Sequence, residues 1–349
     1  MRSSSPEALK KNIQDQNLCV NCGACTEICP YFKSYKGRIA MIFSCPLEQG
    51  RCHAQCPKGE IDLEALSLFF HGKPPDESPL GPYHSITISR SGEKMNGGLY
   101  QNGGTVSALI AVALLSGRIE TAILTGKNGV VPEYRLVNTL EEIQECATSK
   151  YLASPTLGGL NKAMNNGLRK IGVVGTPCQM RGAALIRMNP MKKEDFKDPV
   201  TLSIGLFCTW ALDGREVLSY LSSRMDVTEI RRMDIPPPPA KLLIIEKESG
   251  LVEIPLEEIR PFILKGCGTC PDMTSELSDI SVGAFEENPE WNTLIIRTEA
   301  GAALVEEARK KGYLTTQPMP EEALSHLLLG AAMKKKRSTS SGSEELCPK

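Results

Sequence analysis

Apolar positions are thinly spread at the start of the chain and become regular only after residue 85. Residues 1–16 are polar and read as a helix or a mobile lead-in. Residues 17–69 are dense in Cys and Pro and lack long apolar periods, so bound metal has to substitute for a hydrophobic core there. Residues 70–85 carry four prolines and two glycines, the composition of a linker, and a domain boundary is expected within them.

Beyond Ser85, short apolar runs alternate with helical stretches. Strands are expected at Ile86-Thr87-Ile88, Thr121 to Thr125, Lys170 to Val174, Thr201 to Phe207, Leu242 to Glu246, Leu251 to Ile254 and Leu294 to Ile296. Gly103-Gly104-Thr105 opens a helix to about Leu115, and a late helix spans Gly301 to Lys311. This alternation predicts an α/β domain over 86–332 with a mostly parallel sheet and some hairpins. Residues 333–349 read as a disordered tail.

Charge adds little. Lys and Arg number 40 against 41 Asp and Glu, a formal net charge of -1, which gives no support to nucleic-acid binding. The run Lys334-Lys335-Lys336-Arg337 reads as part of the solvated tail. The longest apolar stretch, Val106 to Leu115, is far shorter than the ~20 residues of a membrane-spanning helix. The first residues lack the apolar core of a signal peptide. A cytoplasmic protein without a membrane span is expected.

Thirteen cysteines change the picture, since in a reducing compartment they favour metal or redox use over disulfides. Seven of them lie between Cys19 and Cys56. Cys19, Cys22, Cys25 and Cys29, with Pro30, follow the C-x2-C-x2-C-x3-C-P spacing of bacterial ferredoxins, in which the fourth cysteine serves a second cluster. Gly23 lets the backbone come close, and Pro30 turns the chain away. A zinc site would instead prefer two separated C-x2-C pairs. Cys45-Pro46 and Cys52-x3-Cys56-Pro57 form a less regular second half, with Gln49 standing where a further cysteine is expected. The crossed pattern assigns Cys19, Cys22, Cys25 and Cys56 to one [4Fe–4S] cluster. It leaves Cys29, Cys45 and Cys52 for a second, one thiolate short. That second site could take a fourth ligand from elsewhere, hold a three-iron cluster, or bind no cluster at all.

Four cysteines of the larger part sit beside turns: Cys178 after Gly175-Thr176-Pro177, Cys208 at a strand end, and Cys267-Gly-Thr-Cys270 before Pro271. They could converge on one edge of a parallel sheet, where open α/β folds bind ligands, and four thiolates suit one further [4Fe–4S] cluster. Buried small hydrophobes or a dithiol are the open alternatives. Cys146 and Cys347 receive no ligand role.

Several blocks from about residue 80 to 313 resemble the beta subunits of coenzyme F420-reducing hydrogenase and F420-dependent formate dehydrogenase. They are Gln101 to Leu109, Ser149-Lys150-Tyr151 with Ser154, Gly175 to Gln179, Gly205 to Cys208, Met233 to Lys241, Ile259-Arg260-Pro261 with Cys267 and Cys270, Asp279 to Gly283, and Trp291-Asn292-Thr293 through Arg297-Thr298. The cysteine-rich segment resembles the added ferredoxin module in the electron-input subunit of F420H2 dehydrogenase. Ala284 departs from the Asp of many relatives.

The resemblance implies FAD in the α/β domain beside a cluster on Cys178, Cys208, Cys267 and Cys270, giving two to three [4Fe–4S] clusters in all. It further implies hydride exchange between FAD and coenzyme F420, and electron passage to or from other redox subunits of a larger complex. Gly103 and Gly104 at a helix start would offer N–H groups to a pyrophosphate, helped by Thr105 and Ser107. The family blocks add Lys150, Tyr151 and Ser154. Thr176 and Gln179 would reach or tune the flavin ring, and Asn292, Thr293 and Arg297 would complete the site. No catalytic residue is assigned, because the cofactors carry the chemistry. A relative acting on another organic substrate, and a flavin-free electron-transfer adaptor, are the rival readings.

Overall fold

Ser5 opens the first helix by accepting from the Ala8 N–H, and Pro6 supplies a preset φ. Helix α1 (Pro6–Leu9) continues as a wider π-helical turn to Gln14 and buries Leu9 and Ile13 against Phe32, Ile39 and Cys52. The polar lead-in is therefore helical and contributes to the core of the cysteine-rich segment. A hairpin, β1 (Phe32–Tyr35) and β2 (Arg38–Met41), turns at Lys36-Gly37, both with positive φ. Helices α2 (Arg51–Ala54) and α3 (Leu63–His71) follow. The computed structural model describes residues 4–95, 98, 100–237 and 240–339.

The Pro-rich stretch after α3 is not slack. Leu80 is fully buried, and the carbonyls of Leu80 and Pro82 both accept from Arg297. His71, at the end of α3, bonds the Glu276 carbonyl at 2.9 Å.

From there the chain builds one large sheet. Its strands are β3 (Ser85–Ser91), β4 (Thr121–Asn128), β5 (Val131–Val137), β6 (Ile171–Gly175) and β7 (Val200–Leu206). A three-stranded antiparallel sheet interrupts: β8 (Ile230–Asp234), β9 (Leu242–Lys247) and β10 (Gly250–Pro255). The large sheet resumes with β11 (Ile280–Ala284), β12 (Asn292–Ile296) and β13 (Leu314–Pro318), in the order β13-β3-β12-β11-β7-β6-β4-β5. Pairing is parallel across β11-β7-β6-β4 and antiparallel on both flanks. It follows that β3, β4, β6, β7 and β11 point one way and end on one edge. The expected α/β class with a mostly parallel central sheet and hairpins stands.

Helix α4 (Thr105–Leu115) is apolar nearly all round because it is buried, packing with α10 (Glu299–Lys310) on one face of the sheet. The short helix α5 (Leu140–Glu145) joins that layer through Ile143. Helices α6 (Thr156–Asn165) and α7 (Pro177–Met188) cover the other face. Helices α8 (Gly214–Ser222) and α9 (Leu256–Ile259) pack with the small sheet. The last helix, α11 (Glu321–Thr339), runs through residues 333–339, where a disordered tail is expected; Lys334 ties it down by donating to the carbonyls of Cys208 and Asp272. Residues 340–349, including Cys347, and Pro238 and Pro239 of one family block lie outside the described residues. Among the described residues no helix is long and apolar enough to cross a membrane.

The cysteine-rich segment docks on α6 and α7. Val20, Cys22 and Ala24 share a core with Leu157, Leu160 and Met180, and Leu66 of α3 packs with Ala184 and Leu185 of α7. The Leu157 N–H donates to the Cys22 carbonyl at 2.9 Å, and the Asn161 side chain donates to the carbonyls of Ala24 and Thr26. Gly23, at φ +89°, lies so close to the Pro155 carbonyl and the Gly158 nitrogen that any Cβ would collide with them. The close approach expected of Gly23 thus serves a neighbouring backbone.

Gly72, at φ +68°, has nothing within 4 Å of a built Cβ, so Gly72→Ala isolates backbone strain, about 1 kcal/mol. Gly23→Ala adds a collision with main chain and is expected to cost on the order of 3 kcal/mol. Thermal unfolding midpoints of the two variants check this; equal losses would show that the docking does not depend on Gly23.

Candidate functional site

The first four-thiol set forms where the motif turn meets the helix after Gly50. Asn21 and Gly23, both at positive φ, bend the chain between Cys19 and Cys25. The buried Asn21 side chain donates to the Gly37 carbonyl and accepts from the Ile39 N–H, pinning the turn to the β1-β2 hairpin. Cys19, Cys22, Cys25 and Cys56 line one cavity together with Leu9, Ile13 and Ile39. That is the crossed set. Burial pushes all four thiols up, Cys56 to about 12, and Cys19 raises Cys25 and Cys56 further. An enclosed apolar cavity with four thiols and no carboxylate among its lining residues fits an iron–sulfur cubane, which takes one thiolate per iron.

Cys29, Cys45 and Cys52 form a second group. Burial raises the Cys52 thiol to about 11, with Cys29 and Cys45 close enough to add to it. The missing thiol at Gln49 is not replaced by another described cysteine. The Glu7 carboxylate lies beside this group, accepting from the Cys45 N–H at 3.2 Å.

The third set assembles at the edge where the parallel strands end. Cys178 begins α7 after β6, Cys208 follows β7, and Cys267 lies within a 3-10 turn that Cys270 closes. Burial raises Cys178 to about 12 and also raises Cys208 and Cys267. Cys270 and Cys267 push Cys178 up further, and Cys178, Cys267 and Cys270 do the same to Cys208. The four thiols thus lie within reach of one another's charge at this edge. The Ala211 N–H faces the Cys267 sulfur at 3.4 Å, and the Thr176 hydroxyl lies 3.3 Å from the Cys178 sulfur. Such contacts tune a cluster. Among the described residues no three His, Cys, Asp or Glu close on a single ion, and all twelve described cysteines are unbridged.

The first and third sets adjoin. Burial raises Cys22 most, and Cys178 raises it next, ahead of its own partners Cys56 and Cys25. Lys58 lies between the two sets: it lines the first cavity, donates to the Thr269 hydroxyl at 2.6 Å, and feels Cys270, Cys267 and Cys178. Its place directly after Cys56-Pro57 is the only sequence signal for that role.

The expected flavin residues fall on the same strand edge but play unequal parts. Gly104 (φ +77°) precedes α4, and Gly103 has the Ser89 carbonyl and Asn292 Oδ1 close by. Asn292 accepts from the Thr105 N–H, and the Thr105 hydroxyl bonds that of Ser89. Thr293 Oγ1 donates to the Ala284 carbonyl. Ser107 lies in the first turn of α4. Gln179 accepts from the Thr176 N–H and donates to the Ser154 carbonyl and the Thr156 hydroxyl, tying the start of α7 to the segment before α6. Gln101 links Ser149 to Asp234, which also accepts from the Tyr151 hydroxyl. Lys150 turns inward, donating to the carbonyls of Cys146, Ala147 and Thr148 at the end of α5, and burial lowers its pKa to about 8. Arg297 does not join them. It is buried and spends its guanidinium on Ser281, Leu80, Pro82 and Thr274, a clamp between the Pro-rich stretch and the loop before β11.

Comparison with known proteins finds similar chains. The family model for the carboxy-terminal part of the coenzyme F420 hydrogenase/dehydrogenase beta subunit matches residues 168–322. The model for the amino-terminal part of that subunit matches 94–161, and a 4Fe-4S binding domain matches 13–31. The coenzyme F420 hydrogenase beta subunit of Methanothermobacter thermautotrophicus is 30% identical over 247 residues, covering 69% of this chain and 87% of the relative. The coenzyme F420 hydrogenase beta subunit of Methanosarcina barkeri is 28% identical over 69% of this chain and 84% of its own. A chain of the F420-reducing [NiFe] hydrogenase complex from Methanosarcina barkeri matches the fold with a TM-score of 0.69 and 27% identity, over 76% of this chain and 93% of that one.

The inward Lys150 sets a pH signature. Its pKa falls from 10.5 to about 8 on folding, so the unfolded chain holds the extra proton between those values and stability rises with pH across that window. Urea midpoints for the wild type and Lys150→Met at about pH 7.5 and about pH 10 are expected to diverge, the wild type gaining more than the variant. Parallel behaviour would contradict the buried, uncompensated ammonium.

Proposed function

The chain belongs to the family of coenzyme F420 hydrogenase/dehydrogenase beta subunits, and from that premise we propose that it is an iron–sulfur flavoprotein subunit. It exchanges a hydride with coenzyme F420 and passes single electrons to or from another redox subunit of a larger complex. The observation that carries the reading is the junction of two four-thiol sets, with Cys178 and Cys267 packed against the core that holds Cys22, behind the strand edge where α/β folds bind their ligands.

In this reading FAD, when bound, supplies the exchange between two-electron hydride chemistry and one-electron transfer. The residues that would hold it are those of the strand edge. Gly103 and Gly104 let the start of α4 pack closely, the first against Asn292 and the Ser89 carbonyl, the second against the Tyr100 ring. The first-turn N–H groups of that helix, of which Asn292 uses Thr105's, would face the pyrophosphate. Ser107 would add a hydroxyl. Tyr151, Ser154, Thr176, Gln179 and Thr293 shape and brace the adjoining wall, and Lys150 acts by bracing the end of α5 more than by direct contact. Arg297 supports the same edge from within. The full sets around Cys22 and Cys178 would each hold a [4Fe–4S] cluster, and the Cys29, Cys45, Cys52 group would hold a further one if a non-thiol ligand completes it.

Two measurements on anaerobically purified chain test this. The wild type is expected to contain flavin and to reduce a viologen with reduced F420. Cys267→Ser is expected to lose about four irons per chain, one cubane, and most of that activity, while Cys146→Ser keeps both. Flavin-free protein, or Cys267→Ser with unchanged iron, would sink the proposal.

A further inference from the structure

Lys334 departs from the basic run in which it lies. Its side chain is only 3% exposed, whereas the run as a whole is expected to be solvated. An ammonium taken out of water costs several kcal/mol unless opposite charge compensates it. Yet among the described residues no carboxylate pairs with Lys334. Its Nζ donates to two main-chain carbonyls, those of Cys208 at 2.5 Å and Asp272 at 2.7 Å. The Asp272 carboxylate is occupied by the N–H groups of Thr274, Ser275 and Glu276, and the Glu276 carboxylate pairs with Lys335. The carbonyl of Asp272 also faces the Cys270 sulfur at 3.6 Å. Lys334 therefore reaches in from α11 to the backbone of two proposed ligand loops.

We infer that Lys334 is the fixed counter-charge of the cluster held by Cys178, Cys208, Cys267 and Cys270, a positioning residue that raises the reduction potential of that cluster. The inference rests on the cluster assignment proposed above. A thiolate-ligated cubane carries net negative charge, and taking up an electron increases it. A cation held at fixed distance in a dry site therefore favours the reduced state more than the oxidised one. Because α11 carries this residue, the helix covers the site and also completes its electrostatics. Lys58 lies on the other flank but is more exposed, and its hydrogen bond is to a neutral hydroxyl.

The test is an EPR-monitored potentiometric titration of the full chain with iron analysis, on the wild type, Lys334→Gln, Lys334→Met and Lys334→Arg. Gln keeps a hydrogen-bond donor without charge; Arg keeps the charge. The signal abolished by Cys267→Ser is expected to shift to lower potential in the Gln and Met variants. The expected fall is at least about tenfold in the reduction equilibrium, about 59 mV for one electron, with Arg close to wild type. Loss of this cluster's irons from the neutral variants but not from Arg would count the same way. A wild-type potential in Lys334→Gln, an equal fall in Lys334→Arg, or iron loss from all three variants would overturn the inference. If Cys267→Ser removes no iron from an otherwise wild-type chain, the cluster assignment itself fails, and that result is separate from the Lys334 readings.

Discussion

The structure turns on one backbone contact: the Cys22-Gly23 turn set against the start of α6. The Leu157 N–H donates to the Cys22 carbonyl, and Gly23 fits against Pro155 and Gly158 with no space for a side chain. A segment of some sixty residues with so little apolar sequence could not hold an orientation by hydrophobic burial alone. Here it borrows the α6-α7 face of the larger sheet, with Val20, Cys22 and Ala24 inside a shared core. The consequence is chemical. The same turn that presents three thiols to one cavity sets Cys22 in the core that Cys178 packs against, so docking and the spacing of the two thiol sets are the same geometric fact.

On the far side of the third thiol set, the ends of β6 and β7 and the loops after them bring Cys178, Cys208, Cys267 and Cys270 together from nearly a hundred residues of chain. Open α/β sheets collect their ligands at such an edge because every parallel strand ends there and every following loop must cross it. Arg297 and Asp279 stiffen it from beneath: the first clamps Leu80, Pro82 and Thr274, the second takes the N–H and hydroxyl of Ser203. Buried polar groups arranged this way are costly to break, so the edge is held rigid where cofactors would need fixed spacing.

Features carried by short-range spacing were legible in the sequence. Three cysteines of the C-x2-C-x2-C-x3-C-P run line one cavity with Cys56, and helix α4 begins and ends where its apolar block does. What escaped depends on long-range placement. Leu9 and Ile13 look incidental in a polar stretch until Phe32 and Ile39 lie over them. Arg297 carries the signature of an anion ligand, yet carbonyls of an apparent linker consume its donors. Lys334 sits in a run whose composition describes its neighbours, and only the path of α11 separates it from them. The hairpin β1-β2 and the strands β5, β8, β11 and β13 lie outside the expected set: β1, β2 and β8 are short with few buried positions, and β11 is a buried run of only five residues.

The central claim is that one docking contact makes the two full thiol sets electronic neighbours. It is tested most directly by the EPR spectrum of the fully reduced chain. The account predicts a spectrum broadened by magnetic interaction between two clusters, which simplifies when Cys267→Ser removes one of them. Two independent signals that merely add, with the remaining one unchanged in Cys267→Ser, would contradict it.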